Sequence, residues 1–308
     1  MRPARLPLLL LLSALALAAA PLASARAQEN AREEAARRAA ALKSLPQNAA
    51  KRFFGTQTTP APLPARAIGF YSRGCLAGAR ALPVDGETWQ VMRTSRNRNW
   101  GHPALIAFLE HFASRVPQIN GWPGLLVGDI SQPRGGPMLT GHASHQIGLD
   151  ADVWLTPMPS RRLSLAEREE IPATNVVARD WNDIDPAVWT KAHTALIRAV
   201  AKEPAVERVF VNPAIKKALC REAGQDRAWL SRVRPTHGHN YHFHIRLACP
   251  RGEKDCRPQT PPPKGDGCGK ELDWWFSDEA RNPKPTPPAP PLTLDDLPAA
   301  CRTVLVAR

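Results

Sequence analysis

YHFHIRL, residues 241–247, lies inside THGHNYHFHIRLACP (236–250), which holds four of the chain's nine histidines: His237, His239, His242 and His244. Successive side chains of a strand point to opposite faces. Tyr241, Phe243, Ile245 and Leu247 then build one bulky, largely apolar face, and His242, His244 and Arg246 build the other. Residues two apart on a strand are separated by about 6.5–7 Å, so both rings can converge on one small volume. They would serve there as two metal ligands, or as one ligand and one acid–base group. The pair alone does not separate a metal site from a strand that is merely rich in histidine.

LTGHASHQIGLDADVW (139–154) supplies a second cluster, with His142, His145, Asp150 and Asp152 inside eleven residues. LDADVWL (149–155) alternates strictly, the pattern of a half-buried strand. Asp150, Asp152 and Trp154 share one face, and Leu149, Ala151, Val153 and Leu155 share the other. Two carboxylates on such a strand are costly unless solvated, paired or bound to a cation. A His, Asp, His set leaves one tetrahedral position for water, as catalytic rather than structural zinc sites do. Each cluster alone has a bland account, the aspartates as turn caps for instance. Together they point to zinc or a similar ion.

The chain opens MRPARLPLLLLLSALALAAAPLASARAQ, two arginines before a Leu/Ala run that ends at small residues. This reads as a secretory signal peptide over 1–27, cleaved after Ala25 or Ala27. No second apolar span follows, so no membrane span is expected after cleavage. The leader holds three arginines and no acid, so its removal takes the net charge from +13 to +10. That surplus suits an anionic partner of the cell envelope, and an exported chain makes nucleic acid the poorest candidate. Six cysteines, Cys75, Cys220, Cys249, Cys256, Cys268 and Cys301, form an even set without a C-x2-C pair. Three disulfides are expected, with fifteen connectivities open from sequence alone.

ENAREEAARRAAALKS (29–44) alternates charge with alanine, as a solvated helix or a frayed arm does. TTPAPLPARA (58–67) breaks any helix, and the globular part is expected from about Ala67. HPALIAFLEHFASRV (102–116) carries apolar residues at helical spacing, with His102 and His111 structural or exposed. GLLVGDI (124–130) and ERVFV (207–211) read as strands. PAVWTKAHTALIRAVAKEP (186–204) reads as a helix with Pro186 in its first turn, and Asn212 and Pro213 open another that Gly224 closes. Beyond Cys249, RPQTPPPKGDGCGKELDWWF and NPKPTPPAPPL supply neither sheet nor helical core; the second reads as an extended tail.

Several stretches together resemble one family. TTPAPLPARAIGFYSRGCLAGARALP, WQVMRTSRNRNWGHPALI, QPRGGPMLTGHASHQIGLDADVW, RVFVNPAIKKALC, the HFHIRLACP run and GDGCGKEL, spanning about residues 50–275, are similar to the penicillin-insensitive murein endopeptidases. These are zinc peptidases of the bacterial periplasm, grouped with lysostaphin-type and D-Ala-D-Ala peptidases. The resemblance implies His145, Asp152 and His244 as zinc ligands, and His142 as a further metal contact. It makes His242 the catalytic acid–base group, with His239 beside it. A second metal position in the family uses an Asp and, three residues later, a His; here Asp180 and Asp183 stand in VARDWND. The resemblance also implies the pairs Cys75–Cys301, Cys220–Cys268 and Cys249–Cys256.

The expected fold is α+β: a small antiparallel sheet carrying the zinc ligands, flanked by helices, with a proline-rich, disulfide-stapled C-terminal tail. Its parts are a signal peptide (1–27), a polar arm and linker (28–66), a zinc peptidase domain (67–275) and the tail (276–308). The implied reaction is hydrolysis of D-alanyl–meso-diaminopimelyl cross-links in the peptidoglycan of a Gram-negative periplasm. Asp150 and His239 would orient groups around the ligands, and Arg134 and Arg246 would bind a substrate carboxylate or, for Arg246, form a salt bridge. The alternatives are a D-Ala-D-Ala carboxypeptidase or dipeptidase, and a non-catalytic zinc-containing murein-binding protein. Ser144 lies between two histidines but in no G-x-S-x-G elbow. His237 is left as a surface residue.

Overall fold

The computed structural model describes residues 12–308, and the side chains from residue 25 onward. Its centre is a six-stranded sheet in the order Trp89–Val91, Leu125–Val127, Asp150–Trp154, His242–Leu247, Val206–Val211 and Val233–Pro235. The four middle strands pair antiparallel. Each outer strand joins its neighbour in parallel, so the sheet is mixed at its edges and antiparallel where the two histidine clusters sit.

The helix Pro103–Asn120 packs on this sheet because its apolar residues recur at helical spacing. Leu105, Ile106, Leu109, Phe112, Ala113 and Val116 are all buried. Pro103 occupies its first turn, the His102 side chain accepts from Ala104 N at 3.2 Å, and Gly121 closes it at φ +79°. His102 is structural, paired with Glu253 at 3.0 Å, and His111 is exposed. The helix expected over 186–204 is shorter, Lys191–Lys202. Its start is set by the Thr190 and His193 side chains, which form the capping box, and Pro186 falls in the turn before it. Asn212 caps the helix Pro213–Glu222 by accepting from Ala214 N.

Three further findings differ from what periodicity implied. The Asp150–Trp154 strand is buried on both faces, not one, because the polar face is covered by the histidines opposite it. Tyr241 precedes the strand and is exposed, whereas Phe243, Ile245 and Leu247 are buried as alternation requires. The tail ends in a helix, Ala300–Val306, whose Cys301 and Val304 join a small second core with Ala50, Phe54, Ile68 and Cys75. The proline-rich run 283–290 before it is exposed and has no regular structure.

The disulfides are Cys75–Cys301, Cys220–Cys268 and Cys249–Cys256, the pairs that the resemblance implies. Cys75–Cys301 spans 226 residues. By chain-entropy reasoning a closure of that length stabilises the fold by about 5 kcal/mol.

Residues 1–11 of the expected signal peptide lie outside the described residues. A helix, Leu12–Ser44, runs through the rest of it and the polar arm. The arm is docked rather than solvated: Glu34 is buried, and Arg38 Nη2 donates to Gly55 O at 2.8 Å. Among the described residues, no helix is long and apolar enough to cross a membrane.

Candidate metal centre and active site

The register between two strands ninety residues apart in sequence assembles the site. Asp152 stands opposite His244, Asp150 opposite Arg246, and Trp154 opposite His242. Directly opposed residues have Cβ atoms only about 4.5–5.5 Å apart, so each carboxylate meets a cation or an imidazole across the ladder. The loop before Asp150 brings in His142 and His145.

His145 is placed by a strained backbone. Its φ is +66°, in the left-handed region that non-glycine residues rarely occupy. Three contacts hold it there. Its N–H donates to Asp150 Oδ2 at 3.0 Å, Ser131 Oγ donates to its carbonyl, and its Nδ1 meets Ile130 O. Gly148, at φ +70°, lets the loop pass under Leu76; a Cβ there would lie 2.4 Å from Leu76 Cδ2.

Three donor atoms converge as a result. His145 Nε2 and His244 Nδ1 are 3.2 Å apart, His244 Nδ1 and Asp152 Oδ1 3.3 Å, and His145 Nε2 and Asp152 Oδ1 3.5 Å. Ligands about 2.0–2.1 Å from a tetrahedral zinc ion are separated by about 3.3–3.4 Å, so the three atoms are spaced as the edges of such a site. His142 adds a fourth donor, its Nδ1 3.5 Å from Asp152 Oδ2. His142, His145 and Asp152 bring one ligand atom each within 4.8 Å of one another. Asp152 Oδ1 is buried and accepts no hydrogen bond. A buried, unsatisfied carboxylate oxygen is costly unless a cation completes it, so the residues present fit a divalent metal.

Each histidine of this set is held by a partner on its other nitrogen, which fixes the nitrogen it offers to the cluster. His244 Nε2 contacts Asp150 Oδ1 at 2.8 Å, and His142 Nε2 contacts Asp129 Oδ2 at 2.9 Å. Asp150 is fully buried and also accepts from Arg246 Nε at 2.7 Å. Burial opposes its charge, but Arg246 and His244 hold its carboxyl well below the usual range. Asp129 is held low in the same way, against burial, by His142, Arg98 and Arg96.

His242 lies beside the three convergent donors, with Nε2 3.7 Å from Asp152 Oδ1 and a buried Nδ1 that has no partner. The His239 ring centroid is 4.6 Å from that of His242. Its pKa is pushed down to about 4, by burial first and then by the nearby His242, so it is a neutral group at pH 7. His237 is exposed, edge-on to Trp275. A cleft of about 300 Å³ opens over His142, Asp152 and His242 and is walled by Trp154, Tyr241 and Arg96. Grooves of about 890 and 780 Å³ lie elsewhere and contain none of these histidines.

The remaining sequence candidates go to other work. Arg134 does not face substrate: it is buried, and it donates to Thr59 O, Val304 O and Leu305 O, which ties down the C-terminal helix. Arg246 is a buried partner of Asp150, stacked 4.2 Å over the Tyr71 ring. Asp183 is paired with Arg221 at 3.0 Å and Lys217 at 3.6 Å, and Asp180 accepts from Asn182 N and Nδ2. No hydrogen bond or ion pair among the described residues joins either aspartate to the histidine cluster. Asp129, Arg96 and Arg98 were not visible as site residues in the sequence. The single signal was an aspartate closing the apolar run GLLVGDI.

The family model described as "Penicillin-insensitive murein endopeptidase" matches residues 67–306. The chain belongs to that family. A relative of this name from Haemophilus influenzae is 48% identical over 235 residues, 72% of this chain and 79% of its own length. One from Klebsiella pneumoniae is 43% identical over 248 residues, 80% and 89% of the two chains. One from Escherichia coli is 42% identical over 247 residues, 78% and 89%. The matched span contains both histidine clusters and all six cysteines, so the family and the assembled donors concern the same part of the chain. Membership makes the chain a peptidase, and with the three disulfides it places the chain in an envelope or periplasmic setting.

Proposed function

We propose that the chain is a zinc-dependent murein endopeptidase. It would hydrolyse D-alanyl–meso-diaminopimelyl cross-links in the periplasm of a Gram-negative bacterium, after loss of a signal peptide at Ala25 or Ala27. The observation that carries the reading is the convergence of His145 Nε2, Asp152 Oδ1 and His244 Nδ1 at the spacing of a tetrahedral site, with Asp152 Oδ1 otherwise unsatisfied. The names of the relatives support the substrate.

His145, Asp152 and His244 would hold the ion, with His142 as a further contact. Bound zinc supplies a Lewis acid that polarises a carbonyl and activates water near neutral pH. The chain's own groups do the rest. His242, which lines the cleft, takes a proton from the attacking water and returns it to the departing amine. Burial lowers its pKa, which keeps it neutral and able to accept. His239 holds the His242 ring in place, and Asp150 and Asp129 fix the nitrogens that His244 and His142 present. No serine takes part, so a drug that acylates serine leaves the reaction untouched. We propose one tightly held ion per chain, because a second at Asp180 and Asp183 would have to displace Arg221 and Lys217.

Chromatography of cross-linked muropeptides tests this. Dimers should convert to monomers, conversion should stop with a chelator, and added zinc should restore it. Conversion that a chelator leaves unaffected, or no conversion by zinc-loaded protein, would overturn the proposal.

A further inference from the structure

Arg96 stands in the wall of the cleft over the histidines. A second cavity of about 290 Å³ lies on the other side, lined by Asn30, Glu33, Glu34 and Arg37 of the N-terminal helix. Arg93, Arg96 and Pro172 line both cavities, so the two stand side by side across a shared wall as one two-part trough. The family match begins at residue 67, so this wall of the trough is built by a segment outside it.

The helix is seated by polar contacts. Asn30 Nδ2 donates to Glu169 O at 3.1 Å, Thr140 Oγ1 lies 3.3 Å from Glu34 Oε1, and Arg38 Nη2 reaches Gly55 O at 2.8 Å. Its alanine-rich, charged sequence has little apolar surface to bury, so core packing does not account for its position. What the seat achieves is to carry Glu33 and Arg37 to the trough. Arg96 faces them from the shared wall. Its Nη1 is engaged by Asp129 at 3.2 Å, and its other guanidinium nitrogens make no hydrogen bond among the described residues. The trough thus offers both signs of charge, which suits a peptide bearing free ammonium and carboxylate groups.

We infer that the N-terminal helix forms a substrate subsite, in which the second peptide stem of a cross-linked dimer lies along the trough beyond Arg96. The inference rests on the murein endopeptidase reading. All four lining residues follow the proposed cleavage positions, so the mature chain keeps them.

Glu33→Arg and Arg37→Gln, both at exposed helix positions, test it in the full mature chain. Rates are compared on a cross-linked muropeptide dimer and on a short peptide holding only the residues either side of the scissile bond. Each variant should lower kcat/KM for the dimer by about fivefold, the worth of one partly exposed ion pair, chiefly through KM. The short peptide and the zinc content should be unchanged. Dimer rates that do not move in either variant, or equal losses on both substrates, overturn the subsite while leaving the function intact. Wild-type protein that cleaves neither substrate overturns the function and the subsite together.

Discussion

Replacing Asp150 by asparagine separates what holds the site from what holds the fold. Asp150 is fully buried and accepts from Arg246 Nε at 2.7 Å, from His145 N at 3.0 Å and from Arg246 Nη2 at 3.5 Å, and its Oδ1 is 2.8 Å from His244 Nε2. Asparagine keeps one acceptor oxygen and turns an NH2 group toward donors. Arg246 is then a buried charge without its partner, a change that costs about 3–5 kcal/mol. His244 also loses the group that fixes its ring, which should weaken zinc binding by about 10–100-fold. Urea unfolding of the metal-free protein reads the first effect, and zinc competition against a chromophoric chelator reads the second. The double variant Asp150→Asn, Arg246→Met divides them. Removing both charges should restore stability to within about 1–2 kcal/mol of wild type, while zinc affinity stays low. The reasoning fails if D150N unfolds like wild type and binds zinc equally well. It fails too if the double variant regains zinc affinity, since Asp150 would then act through Arg246 alone.

His242→Ala should lower kcat by at least about 100-fold with zinc content and unfolding unchanged; retained turnover would remove His242 from the proton path. Arg134→Met should destabilise the fold by about 2–4 kcal/mol, because carbonyls of the C-terminal helix lose a charged donor, and leave KM alone. A raised KM at unchanged stability would return Arg134 to substrate binding. Lys216 is buried, with Nζ donating to Leu230 O at 2.7 Å and Asp266 O at 2.6 Å, and burial pulls its pKa from 10.5 to about 7. Between those values the unfolded chain binds more protons than the folded one, so stability rises with pH across that window, by at most about 1.4 kcal/mol per unit. Lys216→Met should flatten this rise relative to wild type, and equal slopes in the two proteins would refute it.

Much of the fold was legible because its elements are locally amphipathic. Alternation in FHIRL assigned Phe243 and Ile245 to the core, and the spacing of Leu105, Leu109, Phe112 and Val116 marked a helix face. Errors came where local pattern and tertiary cover compete. Pro186 looked like a helix start, but the Thr190–His193 box sets it five residues later. Arg134 looked like an anion binder because its sequence neighbours say nothing of the helix end, 170 residues away, on which its guanidinium closes. The polar arm looked solvated because its seat is made of carbonyls and single side chains of distant segments.

The sequence by itself determined which residue types stand on which face of each strand, and two clusters of histidine and aspartate with the chemistry to hold a cation. Family resemblance divided the histidines into expected roles. Only the tertiary structure decided that Asp152 faces His244 and Asp150 faces Arg246, that Asp129 stands behind His142, and that the N-terminal helix lines the cavity next to the cleft. The reason is range. Which face a side chain takes follows from backbone geometry over a few residues. Strand register and the docking of a polar helix depend on packing and hydrogen bonds across the whole chain, and a one-residue slip of His242–Leu247 would have turned both histidines into the core.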